Sequence, residues 1–144
     1  MNVLQAASDV YVLDAGTIQY LKILARESPL KRSRILLHES HDSAIQEMVL
    51  CVHRDSYVRP HKHPQGKSES YHLIEGEMRV NIFTEDGDLR ERIELSSKSP
   101  MYRIQGNIYH QPLPLTEWAV YHEVYQGPFN KERDVLYAPW SKAE

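Results

Sequence analysis

Two histidines that flank a single lysine, followed by a glutamate, form the pattern with the clearest chemistry in this sequence. His61 and His63 enclose Lys62, and Glu69 follows after a short spacer, residues 64–68. Because side chains alternate across a β-strand, a His-x-His pair on a strand points both imidazoles to one face. The spacer is long enough to turn the chain, so Glu69 can return on the neighbouring strand. We therefore predict a metal site at these residues.

A fourth ligand, His110, must come from elsewhere in the fold, and residues 104–110 are typical of a strand that ends on this histidine. Three neutral imidazoles and one carboxylate suit a divalent ion such as Zn, Fe(II), Mn, Co or Ni, and an octahedral ion keeps two positions open for water or substrate. The spacing does not select among these metals. The alternative is a chance His-x-His pair on an exposed strand edge; Gly76 and His110 together argue against it.

Short strands make up most of the elements that must position these residues. Asp14 or Thr17 can cap a helix that Pro29 ends. Asp86-Gly87, between two alternating runs, predicts a hairpin. We predict an antiparallel sandwich or barrel from the strand-like runs at residues 34–38, 44–52, 57–63, 69–75, 78–84, 89–95, 101–104 and 117–125.

Length and composition bound the class of protein. The 144 residues fit one domain, and 17 Lys and Arg against 20 Asp and Glu give a net charge of −3. The one basic cluster, residues 31–34, is too short to predict nucleic-acid binding. Cys51 is the single cysteine, so no intramolecular disulfide forms. No run of apolar residues is long enough to span a bilayer, and we expect a cytoplasmic protein without a membrane partner.

Residues 61–76, HKHPQGKSESYHLIEG, resemble the first motif of the cupin superfamily, in which two histidines and a glutamate bind metal and a glycine follows the glutamate by seven positions. Gly76 keeps that spacing from Glu69. The second cupin motif is degraded, because Gln105 and Asn107 replace the proline and glycine that usually precede its histidine, and Pro114 replaces an asparagine. The resemblance implies an all-β fold, a single cupin jelly-roll β-barrel with a short N-terminal helical segment and one metal.

The resemblance narrows to small bacterial cupin-fold metalloproteins of the WbuC type and covers nearly the whole chain. It is carried by residues 37–40, 57–61, 68–70, 127–129 and 137–140. Genes of this type lie among those for surface polysaccharide (O-antigen) synthesis, which implies a role in that biosynthesis but no settled reaction. We expect one structural domain, with an N-terminal helical and strand segment at 1–33, the jelly-roll barrel at 34–126, and a C-terminal tail at 127–144 packed on the barrel.

Three further residues are candidates for catalysis or ligand binding. Tyr57 and Arg59 share the inward face predicted for His61, and the Arg59 guanidinium can offer a fork to a ligand carboxylate or phosphate. The alternative for Arg59 is a position at the barrel rim. Tyr71 shares a strand face with Glu69 and is a candidate pocket wall.

On the last strand, either His122 or Glu123 can face the metal, and the sequence does not decide which. No His–Asp pair of the kind that a metal-independent sugar epimerase needs is evident. The absence of a clear general base favours metal-centred chemistry or pure binding.

Two classes of function follow from these residues. The first is an enzyme acting on a small sugar-derived molecule with the metal as Lewis acid, either an isomerase or epimerase or, on the same ligands, an Fe(II)-dependent dioxygenase. The second is a non-catalytic metal- or sugar-binding or sensing module. We also expect a homodimer that pairs through an edge strand at residues 10–13.

Overall fold

Two β-sheets face each other in the computed structural model, which describes residues 2–144. Its helices are α1 (Ala15–Glu27) and α2 (Lys131–Asp134). Its strands are β1 (Val3–Gln5), β2 (Arg32–Leu36), β3 (Ile45–His53), β4 (His61–Lys62), β5 (Glu69–Glu75), β6 (Met78–Phe83), β7 (Leu89–Leu95), β8 (Met101–Ile104), β9 (Tyr109–Pro114), β10 (Trp118–Gln126) and β11 (Leu136–Tyr137).

The six-stranded sheet has the order β1-β2-β3-β10-β5-β8, and the five-stranded sheet has the order β11-β4-β9-β6-β7. All pairings are antiparallel except that of β1 with β2. The main core lies between the sheets, where the inward residues of β5 and β10 meet those of β6. This is the two-layer, sheet-on-sheet arrangement of a jelly roll.

A second apolar cluster lies on the outer face of the six-stranded sheet, under α1. Leu21 and Ala25 of the helix pack on Val49 and Val120, which alternate with inward-facing neighbours on β3 and β10. The helix begins after Asp14, whose Oδ1 accepts a hydrogen bond of 2.8 Å from the Thr17 N–H. The predicted helix is thus confirmed. No helix among residues 2–144 has the length and apolar character needed to cross a membrane.

Most of the predicted strands are present, and those at residues 69–75, 89–95 and 101–104 have the predicted bounds. The hairpin at Asp86-Gly87 is also confirmed. Its turn is closed by hydrogen bonds between Thr84 and Asp88 and from Gly87 to Thr84, and the strands it joins are β6 and β7. Local turn chemistry and period-2 alternation were therefore enough to predict these elements.

The prediction of a strand that ends on His110 is wrong. β8 stops at Ile104, a turn follows, and His110 lies near the start of β9, which the sequence did not predict because Pro112 and Pro114 lie inside it. The prolines are tolerated because β4 pairs with β9 only at His110, so β9 has no hydrogen-bonded neighbour on that side at the prolines.

Two other strand predictions need correction. Only His61–Lys62 of the run 57–63 forms a strand. Residues 10–13 form none: Tyr11 and Leu13 pack on the cluster under α1, whereas Val10 and Val12 are 80% and 75% exposed. The strand edge on which the homodimer was predicted is therefore absent, and β1 takes the place beside β2 instead.

The turn between β5 and β6 requires a glycine. Gly76 has φ of +81°, a conformation that side chains disfavour. A Cβ at this position would also collide with the Trp118 carbonyl oxygen and lie 2.5 Å from Thr116 Oγ1. The turn holds the far end of β5 against β10, and β5 carries Glu69 at its other end.

We expect Gly76→Ala to lower the free energy of unfolding by at least about 3 kcal/mol, because it combines a strained φ with a collision against backbone. Gly66→Ala is the matched control: its φ is +86° and nothing lies within 4 Å of the added Cβ. Its cost should be about 1 kcal/mol, from the backbone conformation alone. Urea unfolding of both variants measures the difference, and equal costs would show that the collision at Gly76 is relieved without penalty.

Candidate metal centre

Three histidines converge at one end of the core. His61 on β4 pairs directly with His110 on β9, and His63 follows β4 by one residue. One ring nitrogen from each histidine lies within 4.8 Å of the others, close enough for a single metal ion to bind all three. His63 and His110 are buried, and His61 is partly exposed.

Glu69 brings a carboxylate to these histidines from the opposite sheet. It is the first residue of β5 and is 3% exposed. Its Oε2 lies 2.8 Å from His63 Nε2, and its Oε1 lies 3.1 Å from His110 Nε2. The structure therefore places together all four residues that the sequence predicted as metal ligands. That they bind a metal remains a prediction.

All three imidazoles have their Nδ1 atoms committed to backbone oxygens. Nδ1 lies 2.8 Å from the Arg59 carbonyl oxygen in His61, 2.6 Å from that of Asp134 in His63, and 3.0 Å from that of Ile108 in His110. Because a carbonyl oxygen only accepts, each Nδ1 carries the ring proton and donates it. The lone pair of each neutral ring is therefore on Nε2, which is the arrangement that metal-binding histidines share.

This tautomer makes the contacts with Glu69 informative. A carboxylate oxygen and an Nε2 lone pair repel each other unless a proton or a metal cation lies between them. The buried His63 Nε2, although 2.8 Å from Glu69 Oε2, has no hydrogen bond of normal geometry. A buried ring nitrogen without such a partner, facing a carboxylate and two further imidazoles, fits a site for a divalent cation.

The electrostatics of the site agree with this reading. Burial acts to lower the pKa of His63, but the Glu69 carboxylate outweighs it and raises the pKa to about 9. Burial acts to raise the pKa of Glu69, but His63 and His110 hold it well below its usual value. Burial and the neighbouring His110 lower the pKa of His61 to about 3, so its imidazole is neutral at pH 7. The site thus holds one anionic carboxylate that attracts positive charge.

The C-terminal segment orients His63. Asp134, at the end of α2, is 2% exposed; its carbonyl oxygen accepts from His63, and its carboxylate holds the helix in place. Oδ2 accepts from the Asn130 N–H at 2.6 Å, and Oδ1 lies 3.2 Å from Lys67 Nζ. Sequence reasoning missed Asp134, because a residue that acts through its backbone carbonyl leaves no signal in its side-chain type.

The turn of the degraded second motif also touches the site. Asn107 has φ of +67°, the left-handed conformation that asparagine tolerates better than most residues. Its N–H donates to the His63 carbonyl oxygen at 2.6 Å. The substitution of asparagine for the usual glycine therefore keeps the backbone shape that glycine would provide, and the turn still braces the His63 segment.

The candidates Tyr57 and Arg59 both contact the C-terminal tail. The Tyr57 hydroxyl donates to the Lys142 carbonyl oxygen at 2.8 Å. The Arg59 guanidinium donates to Ser141 Oγ at 2.9 Å and to the Ala138 carbonyl oxygen at 3.2 Å, and lies over the Tyr137 ring. Two nitrogens of the Arg59 guanidinium therefore fasten the tail beside β4.

Tyr71 lies in the main core, with its ring centroid 5.1 Å from that of Tyr102 and 4.9 Å from that of Tyr121. Burial and the nearby Glu69 raise the pKa of the Tyr71 hydroxyl well above 10. The hydroxyl is therefore neutral at physiological pH and acts as a wall of the core rather than as a base.

The structure decides which of the two candidates on β10, His122 or Glu123, faces the interior. His122 points outward, where its Nε2 lies 2.9 Å from Glu47 Oε2. Glu123 pairs with Tyr71 of β5 and so faces the interior with Glu69. Burial, then repulsion from Glu69, raises the pKa of Glu123 to about 8. No sequence signal assigned these faces; the packing of Val120 against α1 does, because Val120 and His122 share a face of β10.

The arrangement of strands and core defines the chain as a cupin-type jelly roll. The L-ribose isomerase of Cellulomonas parahominis, solved with L-psicose, aligns with a TM-score of 0.60 and 15% identity over 76% of this chain and 70% of that one. KdgF from Halomonas sp. aligns with a TM-score of 0.54 and 14% identity over 70% and 82% of the two chains. Oxalate oxidase in complex with the substrate analogue glycolate aligns with a TM-score of 0.59 and 14% identity over 78% of this chain and 57% of that one. These likenesses show a shared fold.

Family membership comes from the sequence itself. Residues 13–95, more than half of the chain, match the model described as Domain of unknown function (DUF6016), and the protein belongs to that family. No curated protein matches the chain significantly. The matched residues include α1 and three of the four candidate ligands, and they end before His110.

We expect Asp134→Asn to destabilise the metal-free protein in a pH-dependent way. Burial acts to raise the pKa of Asp134, but hydrogen bonds from Asn130 and Lys67 bring it below 3.8. The folded state therefore gains stability from the ionised form above about pH 4 and loses it as pH falls through the lowered pKa. The variant should be about 1–3 kcal/mol less stable at pH 7, with a gap that narrows below pH 4.

Urea unfolding with a chelator present, at several pH values, measures this gap. Glu132→Gln, an exposed acid on the same helix, is the control and should differ little from the wild type. A gap for Asp134→Asn that stays constant down to pH 3 would contradict the assigned role of its charge.

Proposed function

We propose that this protein binds one divalent metal ion through His61, His63, Glu69 and His110. We further propose that it acts on a small sugar-derived metabolite in bacterial surface polysaccharide (O-antigen) biosynthesis, as a cupin-fold metalloprotein of the WbuC type. The observation that carries the proposal is the contact of Glu69 with two imidazoles whose Nδ1 protons are already donated to backbone carbonyls. That contact calls for a proton or a metal cation between the facing atoms.

The donor set narrows the chemistry. Neutral imidazoles with one carboxylate suit Zn, Mn, Fe(II), Co or Ni rather than Ca or Mg, which prefer oxygen ligands. Such an ion, when bound, supplies a Lewis acid that polarises a carbonyl or hydroxyl of a ligand. The residues of the chain would hold it: Glu69 would supply the charge, and the three carbonyl oxygens fix the direction of the imidazoles.

Isomerisation of a sugar is the reaction we favour. Its support is the shared fold with two L-ribose isomerases, of Cellulomonas parahominis and Geodermatophilus obscurus. The WbuC-type resemblance, over nearly the whole chain, supports a sugar intermediate of polysaccharide synthesis. The shared fold with oxalate oxidase supports an oxygen-dependent reaction as the second candidate, and the identity of the bound metal separates the two.

We expect the wild type, purified without an affinity tag, to contain close to one equivalent of a transition metal. His61→Ala, Glu69→Ala and His110→Ala should each lower the metal content sharply, because each removes a ligand from a site with few alternatives. Element-resolved mass spectrometry gives both the amount and the identity of the metal. Iron directs the next assay to oxygen-dependent reactions, and zinc, manganese or nickel to isomerisation.

His72→Ala is the matched control for these variants. His72 lies on the outer face of β5, hydrogen-bonded to Ser70 and with its ring centroid 5.2 Å from that of His122, so its loss should leave the metal content unchanged. A wild type that is metal-free and cannot be loaded would contradict the proposal and leave a metal-independent binding module as the better account.

Sugar binding is tested separately. We expect an aldopentose at roughly 10 mM to raise the melting temperature of the metal-loaded protein, because a ligand that binds only the folded state stabilises it by mass action. The chelator-treated protein should show no such shift. Thermal unfolding against a panel of aldoses and acyclic polyols measures the effect, and equal shifts with and without metal would place the ligand away from the metal centre.

A further inference from the structure

Glu123 is an inward-facing acid that the metal site does not use. On β10 it lies between Tyr121 and Tyr125, and both of these are buried. The register pairs it with Tyr71 of β5, two residues beyond Glu69 on the same strand face. Its carboxyl group therefore projects into the interior on the side of the sheet that also presents Glu69.

Among residues 2–144, Glu123 makes no side-chain hydrogen bond or ion pair within the described part of the chain. The two buried acids do: Glu69 contacts two histidines, and Asp134 contacts Lys67. Glu123 is of intermediate burial, so its inward-facing carboxyl keeps some contact with water in place of a protein partner. A carboxyl that faces the interior without a protein partner contributes little to stability and is available for chemistry.

The surroundings of Glu123 are aromatic. Tyr71, Tyr102 and Tyr121 stack beside it, and the buried Tyr102 hydroxyl also has no hydrogen-bond partner. Unpaired polar atoms on facing strands of an interior mark space for water or a small polar ligand. Glu123 and Glu69 thus face the same interior from neighbouring strands, and Glu69 is already bound to two histidines whereas Glu123 has no partner among the described residues.

We propose that Glu123 is the proton-transfer residue of this space and that its substrate is an aldose. This deepens the proposed function and rests on it. A Glu123 oxygen takes the proton from C2 of the open-chain sugar, and the electron pair of that C–H bond remains on the sugar as an enediolate. The same carboxyl returns the proton to C1 while the hydroxyl proton of O2 passes to O1, so that C1 becomes the alcohol, C2 becomes the ketone, and no net oxidation occurs and no co-reactant is needed.

The other groups of the site cannot take this role. Glu69 is held by two imidazoles, the Tyr71 hydroxyl stays neutral, and two nitrogens of the Arg59 guanidinium are engaged by the tail. His122 faces outward and is separated from the interior by the sheet. Among the site residues that the structure describes, an inward position and an unengaged carboxyl therefore coincide at Glu123.

The test is solvent exchange. Metal-loaded wild type is incubated in D₂O with aldopentoses and their ketose isomers, and recovered sugar is analysed by mass spectrometry for carbon-bound deuterium. We expect incorporation by the wild type and a rate at least about 100-fold lower for Glu123→Gln, the range for loss of an acid–base group. Glu47→Gln, an acid on the outer face of the same sheet, is the control and should exchange like the wild type.

Two further readings do not depend on turnover. Glu123→Gln should keep the metal content of the wild type, and its melting temperature should not fall, because the Glu123 side chain makes no hydrogen bond or ion pair that the substitution would remove. Glu123→Asp keeps the acid but withdraws it by one methylene, so its exchange rate should fall between those of the wild type and Glu123→Gln. This variant also carries the test if Glu123→Gln does not fold.

These measurements distinguish a failure of the inference about Glu123 from a failure of the proposed function. Exchange by Glu123→Gln within about threefold of the wild-type rate overturns the inference, as does a metal-replete wild type that labels none of the sugars. A lower melting temperature together with lost metal for both Glu123 variants also overturns it, since Glu123 is then structural. A wild type that holds no metal overturns the proposed function itself.

Discussion

The carboxylate of Glu69, enclosed by imidazoles that are themselves anchored to backbone oxygens, is the interaction on which the rest of the site depends. An anion at this depth is tolerated only if positive charge compensates it. In the isolated chain a proton shared with His63 provides that charge, which is why the pKa of His63 is raised and that of Glu69 is lowered. A divalent cation would compensate the same charge and satisfy the Nε2 lone pairs at once.

The anchors for the three imidazoles come from separate parts of the chain. Arg59 and Ile108 supply carbonyl oxygens from just before the histidines that they orient, whereas Asp134 supplies one from the C-terminal segment. The contacts of Arg59 and Tyr57 fasten that segment beside β4, and Lys67 fixes Asp134. The C-terminal segment therefore belongs to the architecture of the site, although it contributes no candidate ligand.

Local patterns predicted those parts of the molecule that local physics decides. The alternation of β5, the cap at Asp14 and the turn at Asp86-Gly87 were readable because each depends on near neighbours. β9 was not readable, because its prolines are tolerated only where no strand pairs with that edge of β9 after His110. The four candidate ligands could be found from residue type and spacing. The roles of Asp134 and Glu123 could not be found in this way. Asp134 acts through its backbone carbonyl, and the position of Glu123 is set by the register between β10 and β5.

The central claim is that three Nε2 atoms and one Glu69 oxygen share a single metal ion. X-ray absorption spectroscopy of the metal-loaded protein tests it most directly. We expect a first shell of three imidazole nitrogens and at least one oxygen at roughly 2.0–2.2 Å, and one imidazole fewer around whatever metal His61→Ala and His110→Ala retain. A first shell of oxygen alone, or a spectrum that neither substitution changes, would place the metal elsewhere and contradict the account.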